Sequence, residues 1–115
     1  MKRSSRLSRS DDINRVRQLG QFFVHDTIVL GTLPNQFDKN RIAIVAGRSV
    51  GGAVQRNLAK RRMRSAYQTL QAALNQGFDL VFIARRRILS ADYSVLLIEM
   101  EAVLEQAGLM KEIES

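Results

Sequence analysis

The sequence contains no cysteine and no tryptophan, and it has one histidine and one proline among 115 residues. Without cysteine the chain can form no disulfide, no thiolate nucleophile and no zinc finger or ribbon. Its longest apolar runs, such as FDLVFIA at 78–84, are too short to span a bilayer, and MKRSSRLSRS at 1–10 lacks the apolar stretch of a signal peptide. We therefore expect a cytoplasmic protein that does not enter a membrane.

Acidic residues are absent from the middle of the chain: none occurs between Asp38 and Asp79. The net charge is +7, and it is spread unevenly, with +12 on residues 1–87 and −5 on residues 88–115. The hydrophobic fraction of 45% is that of an ordinary globular protein, so the charge does not come from a disordered composition. Such a basic surface predicts a polyanionic partner, with nucleic acid as the first candidate.

The length is that of one domain, long enough for a modest core. Residues 1–9 show no hydrophobic periodicity, and we predict that they form a flexible basic arm. Residues 10–115 then form a single domain.

Hydrophobic patterns within this domain predict helices that alternate with strands. The predicted order is a helix from Ser10 to Gly20, strand sequence over 21–33 and 41–47, a helix over 53–74, a strand over 78–85, and a helix capped by Ser90 and ended by Gly108. We expect the segments 21–33 and 41–47 to pair antiparallel. This order predicts an α+β domain built as a pair of layers.

The helix predicted over 53–74 carries a strongly basic face. At about 100° per residue, five polar side chains fall within an arc of about 140°: Arg56, Asn57, Lys60, Arg61 and Arg64. A neighbouring arc is apolar and would pack on the sheet. Like charges four residues apart cost about 0.2–0.5 kcal/mol per pair, and no nearby acid offsets this cost. Guanidinium forks match phosphate oxygens, so this face is predicted to bind nucleic acid; Gly51-Gly52 before it either adds amide donors or only makes a turn.

The run GRSVGGAVQRNLAKRRMRSAY at 47–67 has the order Val-Gly-x-Ala-Val-x-Arg-Asn-x-x-Lys-Arg-x-x-Arg. This order closely resembles the signature of the bacterial ribonuclease P protein subunit, and the resemblance extends over nearly the whole chain. It implies an αβββαβα two-layer domain with a four-stranded sheet, three helices and a left-handed βαβ crossover through the basic helix, like ribosomal protein S5 domain 2.

The resemblance also implies a function. In this family the RNA subunit is the catalyst, and Mg²⁺ ions bound mainly by that RNA promote hydrolysis that releases the 5′ leader of precursor tRNA. The protein binds the catalytic RNA and the leader, and by itself it is expected to be inactive. No obligatory protein partner is implied.

Individual residues follow from the same resemblance. The positions expected to contact the catalytic RNA are Arg48, Arg56, Asn57, Lys60, Arg61 and Arg64. In the leader cleft, where relatives commonly carry aromatic side chains, this chain has Ile13, Arg17 and Gly31. We therefore hypothesise a leader held mainly by charge, with Phe22 or Phe23 either contributing a ring or serving as core. Arg62 is an extra cation on the other side of the helix, and its role stays open.

Other functions are weaker alternatives. A ribosomal-type structural RNA-binding protein fits the composition equally well, and a DNA-binding regulator has only Gln55 and Asn57 on its helix for reading bases. His25 and Asp26 are adjacent in a strand-like segment and point to opposite faces, so they make a poor catalytic pair. We interpret the glutamates of the last helix, Glu99, Glu101 and Glu105, as a solvated face.

Overall fold

The computed structural model describes residues 6–7 and 10–112. It contains three α-helices and one four-stranded sheet. In chain order the elements are α1 (Ser10–Leu19), β1 (Gln21–Val24), β2 (Ile28–Pro34), β3 (Arg41–Val45), α2 (Ala53–Leu70), β4 (Phe78–Ala84) and α3 (Tyr93–Gln106). Two short 3₁₀ turns follow α2 and β4, at Gln71–Ala73 and Arg86–Leu89. The predicted α+β class and αβββαβα order are confirmed.

The strands lie in the order β1-β2-β4-β3. β2 pairs antiparallel with both β1 and β4, whereas β3 pairs parallel with β4 and connects to it through α2. The predicted antiparallel pairing of 21–33 with 41–47 is wrong. The first segment divides at 25–27 into the hairpin β1–β2, and β4 lies between β2 and β3 because its apolar side chains on both faces suit a central strand.

The main core lies between the sheet and the helices α2 and α3. Strand residues such as Leu30, Leu80 and Phe82 meet Met63 and Met100 of the helices, all with no exposed surface. The alternate strand residues point to the other face, where α1 packs through Val16 on a smaller cluster with Leu7, Ala43 and Val81. The two predicted layers hold the main core, and α1 lies alone on the opposite face of the sheet.

Two helix ends differ from the prediction. α2 ends at Leu70 and continues as the 3₁₀ turn, and α3 is preceded by Asp92 at its N-cap position. Ser90, predicted as that cap, instead follows the second 3₁₀ turn, where its hydroxyl donates to the Arg87 carbonyl at 3.2 Å. Ser90 therefore closes the turn that precedes α3.

Two residues of the predicted arm belong to the folded domain. Leu7 is 2% exposed, and its N–H donates to the carbonyl of Ile42 at 2.8 Å, which forms a parallel bridge at the free edge of β3. The prediction of a flexible arm is therefore wrong for Arg6 and Leu7; the rest of that prediction lies outside the described residues. No helix in the described part of the chain is both long and apolar enough to cross a membrane.

Candidate nucleic-acid interface

The predicted basic face of α2 is a surface of the folded protein. The opposite side of the helix is anchored in the core by its buried residues, Ala59, Met63, Ala66, Tyr67 and Leu70. Four of the five predicted polar residues, Asn57, Lys60, Arg61 and Arg64, line one shallow groove together with Val54. Arg56 lies one turn before Lys60 and is partly buried. A packed helix therefore presents this face as a rigid surface.

The cations of this face are not neutralised by the protein itself. Every ion pair found among residues 6–7 and 10–112 involves other side chains, namely His25–Glu99, Arg41 with Asp12 and Asp79, and Arg87–Asp26. A phosphate that approached α2 would therefore not have to displace an acidic side chain of the described chain. This arrangement favours binding of a polyanion.

The turn that leads into α2 explains one of its two glycines. Gly51 has φ +142°, in the region that side chains rarely adopt, and a Cβ there would lie 2.9 Å from the Cβ of Gln55. Gly52 is the N-cap residue, and because glycine has no side chain it cannot cap the helix with a side-chain hydrogen bond. Gly51 is thus required by the turn, while amide binding of a phosphate remains a prediction. Arg48 is exposed at the start of the same turn.

Arg62 has a structural contact that the sequence did not indicate. Its Nη1 donates to the backbone carbonyls of Ile88 and Ala91, at 3.3 and 3.1 Å. These carbonyls belong to the turn between β4 and α3, so Arg62 holds α2 against that turn. Because Ile88 is 26 residues away from Arg62 in sequence, only the folded structure shows this role.

Of the predicted cleft residues, all but Phe23 lie on α1 or on the sheet face that α1 covers. Ile13 packs on the small cluster beneath α1, and Arg17 is exposed one helical turn later. Gly31 is buried on the same sheet face. Phe22 lies directly opposite Gly31 in the β1–β2 pair and is 43% exposed. Phe23 points to the other face and packs against the main core, so Phe22, and not Phe23, lies on the cleft side.

An apolar row that the sequence pattern alone does not reveal lies beside these residues. Val24, Val29, Ile83 and Val45 are paired in register across all four strands, and each keeps some exposed surface. They lie on the face that carries α1, one row beyond Phe22 and Gly31. The alternation within β2 and β4 was the available signal, but only the strand register brings the four residues together.

A second groove, at the free edge of β3, shares one residue with the groove on α2. It is lined by Ile13, Val45, Arg6 and Arg64, among others, and Arg64 also lines the groove on α2. The second groove therefore borders the basic face of α2 at Arg64 and the predicted cleft residues at Ile13.

The lone histidine lies beside Glu99 and is not paired with Asp26. His25 Nδ1 lies 3.7 Å from Glu99 Oε2, while Asp26 lies 3.7 Å from Arg87. The amide and hydroxyl of Thr27 donate to Glu99 Oε1 at 2.9 and 2.6 Å. Burial raises the pKa of Glu99, but the hydrogen bonds from Thr27 and the Asp26 backbone, with the electrostatic effect of His25, together leave the pKa below its usual value. Glu99 therefore fastens the β1–β2 hairpin to α3, and the prediction that it lies on a solvated face is wrong.

Comparison with known proteins identifies relatives of the whole chain. A family model described as Ribonuclease P matches residues 1–108. The ribonuclease P protein component of Chloroflexus aurantiacus is 39% identical over 111 residues, which cover 96% of this chain and 82% of that protein. That of Dehalococcoides mccartyi strain ATCC BAA-2266 is 37% identical over 105 residues, with 91% and 82% covered.

Solved structures share the fold. The ribonuclease P protein of Staphylococcus aureus superposes with a TM-score of 0.83 at 24% identity, over 93% of this chain and 98% of that one. The protein from Thermotoga maritima gives 0.79 at 24% identity, over 96% and 98%. At this identity the structural likeness speaks for the architecture alone.

Proposed function

The chain belongs to the ribonuclease P protein component family, and on this basis we propose that it is the protein subunit of a bacterial ribonuclease P. In this role it binds the catalytic RNA and the 5′ leader of precursor tRNA, and it supports Mg²⁺-dependent removal of the leader. The observation that carries the proposal is the basic face of α2, whose cations have no acidic partner in the described chain and whose opposite side is packed in the core.

Each surface has a separate task in this proposal. The face formed by Arg56, Asn57, Lys60, Arg61 and Arg64, with Arg48 at the preceding turn, binds phosphates of the catalytic RNA. The cleft beneath α1 receives the leader, with Arg17 as its cation. In this proposal Arg64, which lines both grooves, lies where the leader and the catalytic RNA come together.

In this proposal the RNA, and not the protein, holds Mg²⁺. Within residues 6–7 and 10–112, no group of three or more histidine or acidic side chains converges in a way that could hold a metal ion. We therefore assign Mg²⁺ no ligand in this protein and derive no step through it. The contribution of the protein is to bind and orient RNA, and we expect no cleavage by the protein alone.

A ribosomal-type RNA-binding protein without a role in cleavage is the alternative. It would use the same α2 surface, because phosphate binding carries no sequence information by itself. The two functions differ in whether the protein changes the cleavage of precursor tRNA. Binding of RNA alone does not distinguish them.

The test is cleavage of precursor tRNA by a bacterial ribonuclease P RNA at low Mg²⁺, with and without this protein. We expect the protein to restore cleavage at the mature 5′ end. The variant R56A/K60A/R64A should bind the catalytic RNA more weakly, and the slope of log affinity against log salt should fall by about 0.7–0.9 per lost phosphate contact.

A matched variant controls for net charge. The variant R15A/K39A/K111A also removes three positive charges, but from positions outside α2. It should keep both the affinity and the salt slope near those of the wild type. Tight RNA binding without restored cleavage, also with the RNA of the same organism, would contradict the proposed function in favour of the ribosomal-type alternative. An unchanged slope in the α2 variant would show that another face binds the RNA.

A further inference from the structure

Phe22 and Gly31 form an unusual pair on the cleft side of the sheet. They are direct partners in the β1–β2 register. A Cβ built on Gly31 would lie 2.9 Å from Cε1 of Phe22 and 3.3 Å from Cγ1 of Val16. The phenyl ring therefore occupies the space into which a side chain at position 31 would project. The ring on β1 therefore fits against β2 because Gly31 has no side chain.

The ring is held in place and remains accessible. A Cβ at Gly31 would lie 2.9 and 3.4 Å from Cε1 and Cδ1 of the ring, so one edge of the ring lies over Gly31, while 43% of the residue is exposed. All seven aromatic residues of the chain lie in the described part. Of the others, Phe37 lies under the guanidinium of Arg41 at 4.6 Å, and Phe23, Phe78, Phe82 and Tyr67 belong to or pack on the main core. Tyr93 lies on α3, so Phe22 is the aromatic ring that this sheet face offers.

The surroundings of the ring indicate its ligand. Val24 and Val29 continue the floor as aliphatic contacts, which provide apolar area but no π-face. Arg17 is exposed on α1, the helix whose Val16 lies against Gly31. A half-exposed aromatic ring on a sheet face that is covered by a helix with an exposed arginine matches single-stranded nucleic acid, whose bases stack on aromatics while its phosphates pair with arginine.

We propose that Phe22 is the stacking platform for one unpaired base of the 5′ leader, an inference that rests on the proposed function. The ring replaces, from the neighbouring strand, the side chain that Gly31 lacks. Because only one ring is available there, one base stacks and its neighbours contact aliphatic side chains. A purine at that leader position should bind modestly better than a pyrimidine, since it offers the larger stacking surface.

The experiment compares the affinity of the reconstituted holoenzyme for precursor tRNA with and without a leader. The readout is the ratio of these two affinities, so effects on binding of the catalytic RNA cancel. Phe22→Leu keeps an apolar side chain but removes the ring, and we expect the ratio to fall about fivefold or more. Phe22→Tyr, which keeps the ring, should retain the ratio of the wild type.

A transplanted ring tests the geometry. Gly31→Tyr alone places a side chain against Phe22 and should destabilise the protein, as measured by thermal unfolding. In F22S/G31Y the contact with the phenyl ring is removed and the new ring projects from β2 on the same face. We expect this double variant to be more stable than G31Y and to recover much of the leader-dependent affinity that F22S alone loses.

The outcomes separate this inference from the function beneath it. If the wild-type holoenzyme shows no gain in affinity from a leader, the proposed role in leader binding fails. If the wild type shows the gain and a folded F22L variant retains it in full, the role of Phe22 is wrong while the proposed function stands. A loss in F22L that F22Y does not share supports the stacking platform.

Discussion

Two neighbouring arginines on α2 make different contacts because their side chains leave the helix in different directions. Arg61 is exposed and lines the groove of the basic face, whereas Arg62 donates to the carbonyls of Ile88 and Ala91. Both side chains carry the same charge, and nothing in their chemistry distinguishes them. Their direction from the helix axis, about 100° apart, decides which contacts each one makes.

Substitution of this pair should give opposite results. Arg62→Met removes two hydrogen bonds from a charged donor and should lower the free energy of unfolding by about 1–3 kcal/mol, with little effect on the salt slope of RNA binding. Arg61→Met should leave stability within about 0.5 kcal/mol and reduce that slope by about one phosphate contact, 0.7–0.9. Urea unfolding and RNA titration at several salt concentrations measure both quantities. Equal loss of stability in both variants would contradict the assignment.

The sequence could predict only some of the site residues. The positions on α2 follow from helical periodicity alone, and their common face is found in the structure. Phe22 and Phe23 could not be told apart, because the alternation of a strand assigns opposite faces without stating which face is covered. That required knowledge that α1 lies on one side of the sheet and α3 on the other.

The element boundary that the sequence did not predict is the turn of the hairpin between β1 and β2. Its turn, His25-Asp26-Thr27, has Asp26 as its one common turn residue and contains no glycine, proline or asparagine, so the sequence marks the turn only weakly. The turn is fixed instead by Glu99, 72 residues away, through hydrogen bonds from the amide and hydroxyl of Thr27. The strand partners were mispredicted for the related reason that β4, which is distant in sequence, separates β2 from β3.

The docking of α2 on the sheet should weaken at alkaline pH. Tyr67 is 4% exposed and packs against Phe82 with ring centroids 5.7 Å apart. Burial raises the pKa of Tyr67 to about 12. The unfolded chain has a tyrosine pKa of about 10, so the stability that this neutral phenol contributes is complete below pH 10 and is lost as pH rises toward 12.

Comparison with Tyr67→Phe isolates this contribution. The phenylalanine variant keeps the buried ring but has no hydroxyl to ionise. Between pH 9 and 11.5 the wild type should lose more stability than the variant, so that the difference between the two urea midpoints changes with pH. Lysine titration affects both proteins alike. Midpoints that fall in parallel would show that Tyr67 does not ionise in this range.

The fold, as well as the sequence, determines where positive and negative charges lie in the molecule. The acidic C-terminal segment forms α3, which packs on one face of the sheet, while the cleft lies on the other face beneath α1. The exposed glutamates Glu101 and Glu105 are therefore separated from the cleft by the sheet itself. A leader strand would meet the positive field of Arg17, Arg64 and Arg6 without nearby repulsion from α3.

This arrangement, with one aromatic ring in the cleft, predicts that the leader is held mainly by charge. The holoenzyme should show a steeper dependence of log affinity on log salt for leader-bearing precursor tRNA than for leaderless tRNA, by about 0.7 for each leader phosphate contacted. Arg17→Gln should reduce this difference, because it removes a cation of the cleft. Phe22→Leu should lower the leader-dependent affinity without changing the difference in slope, since stacking releases no counterions. Equal slopes for the two substrates in the wild type would mean that the leader is bound by contacts other than the arginines of the cleft, and the electrostatic hypothesis would then be abandoned even if Phe22 proved essential.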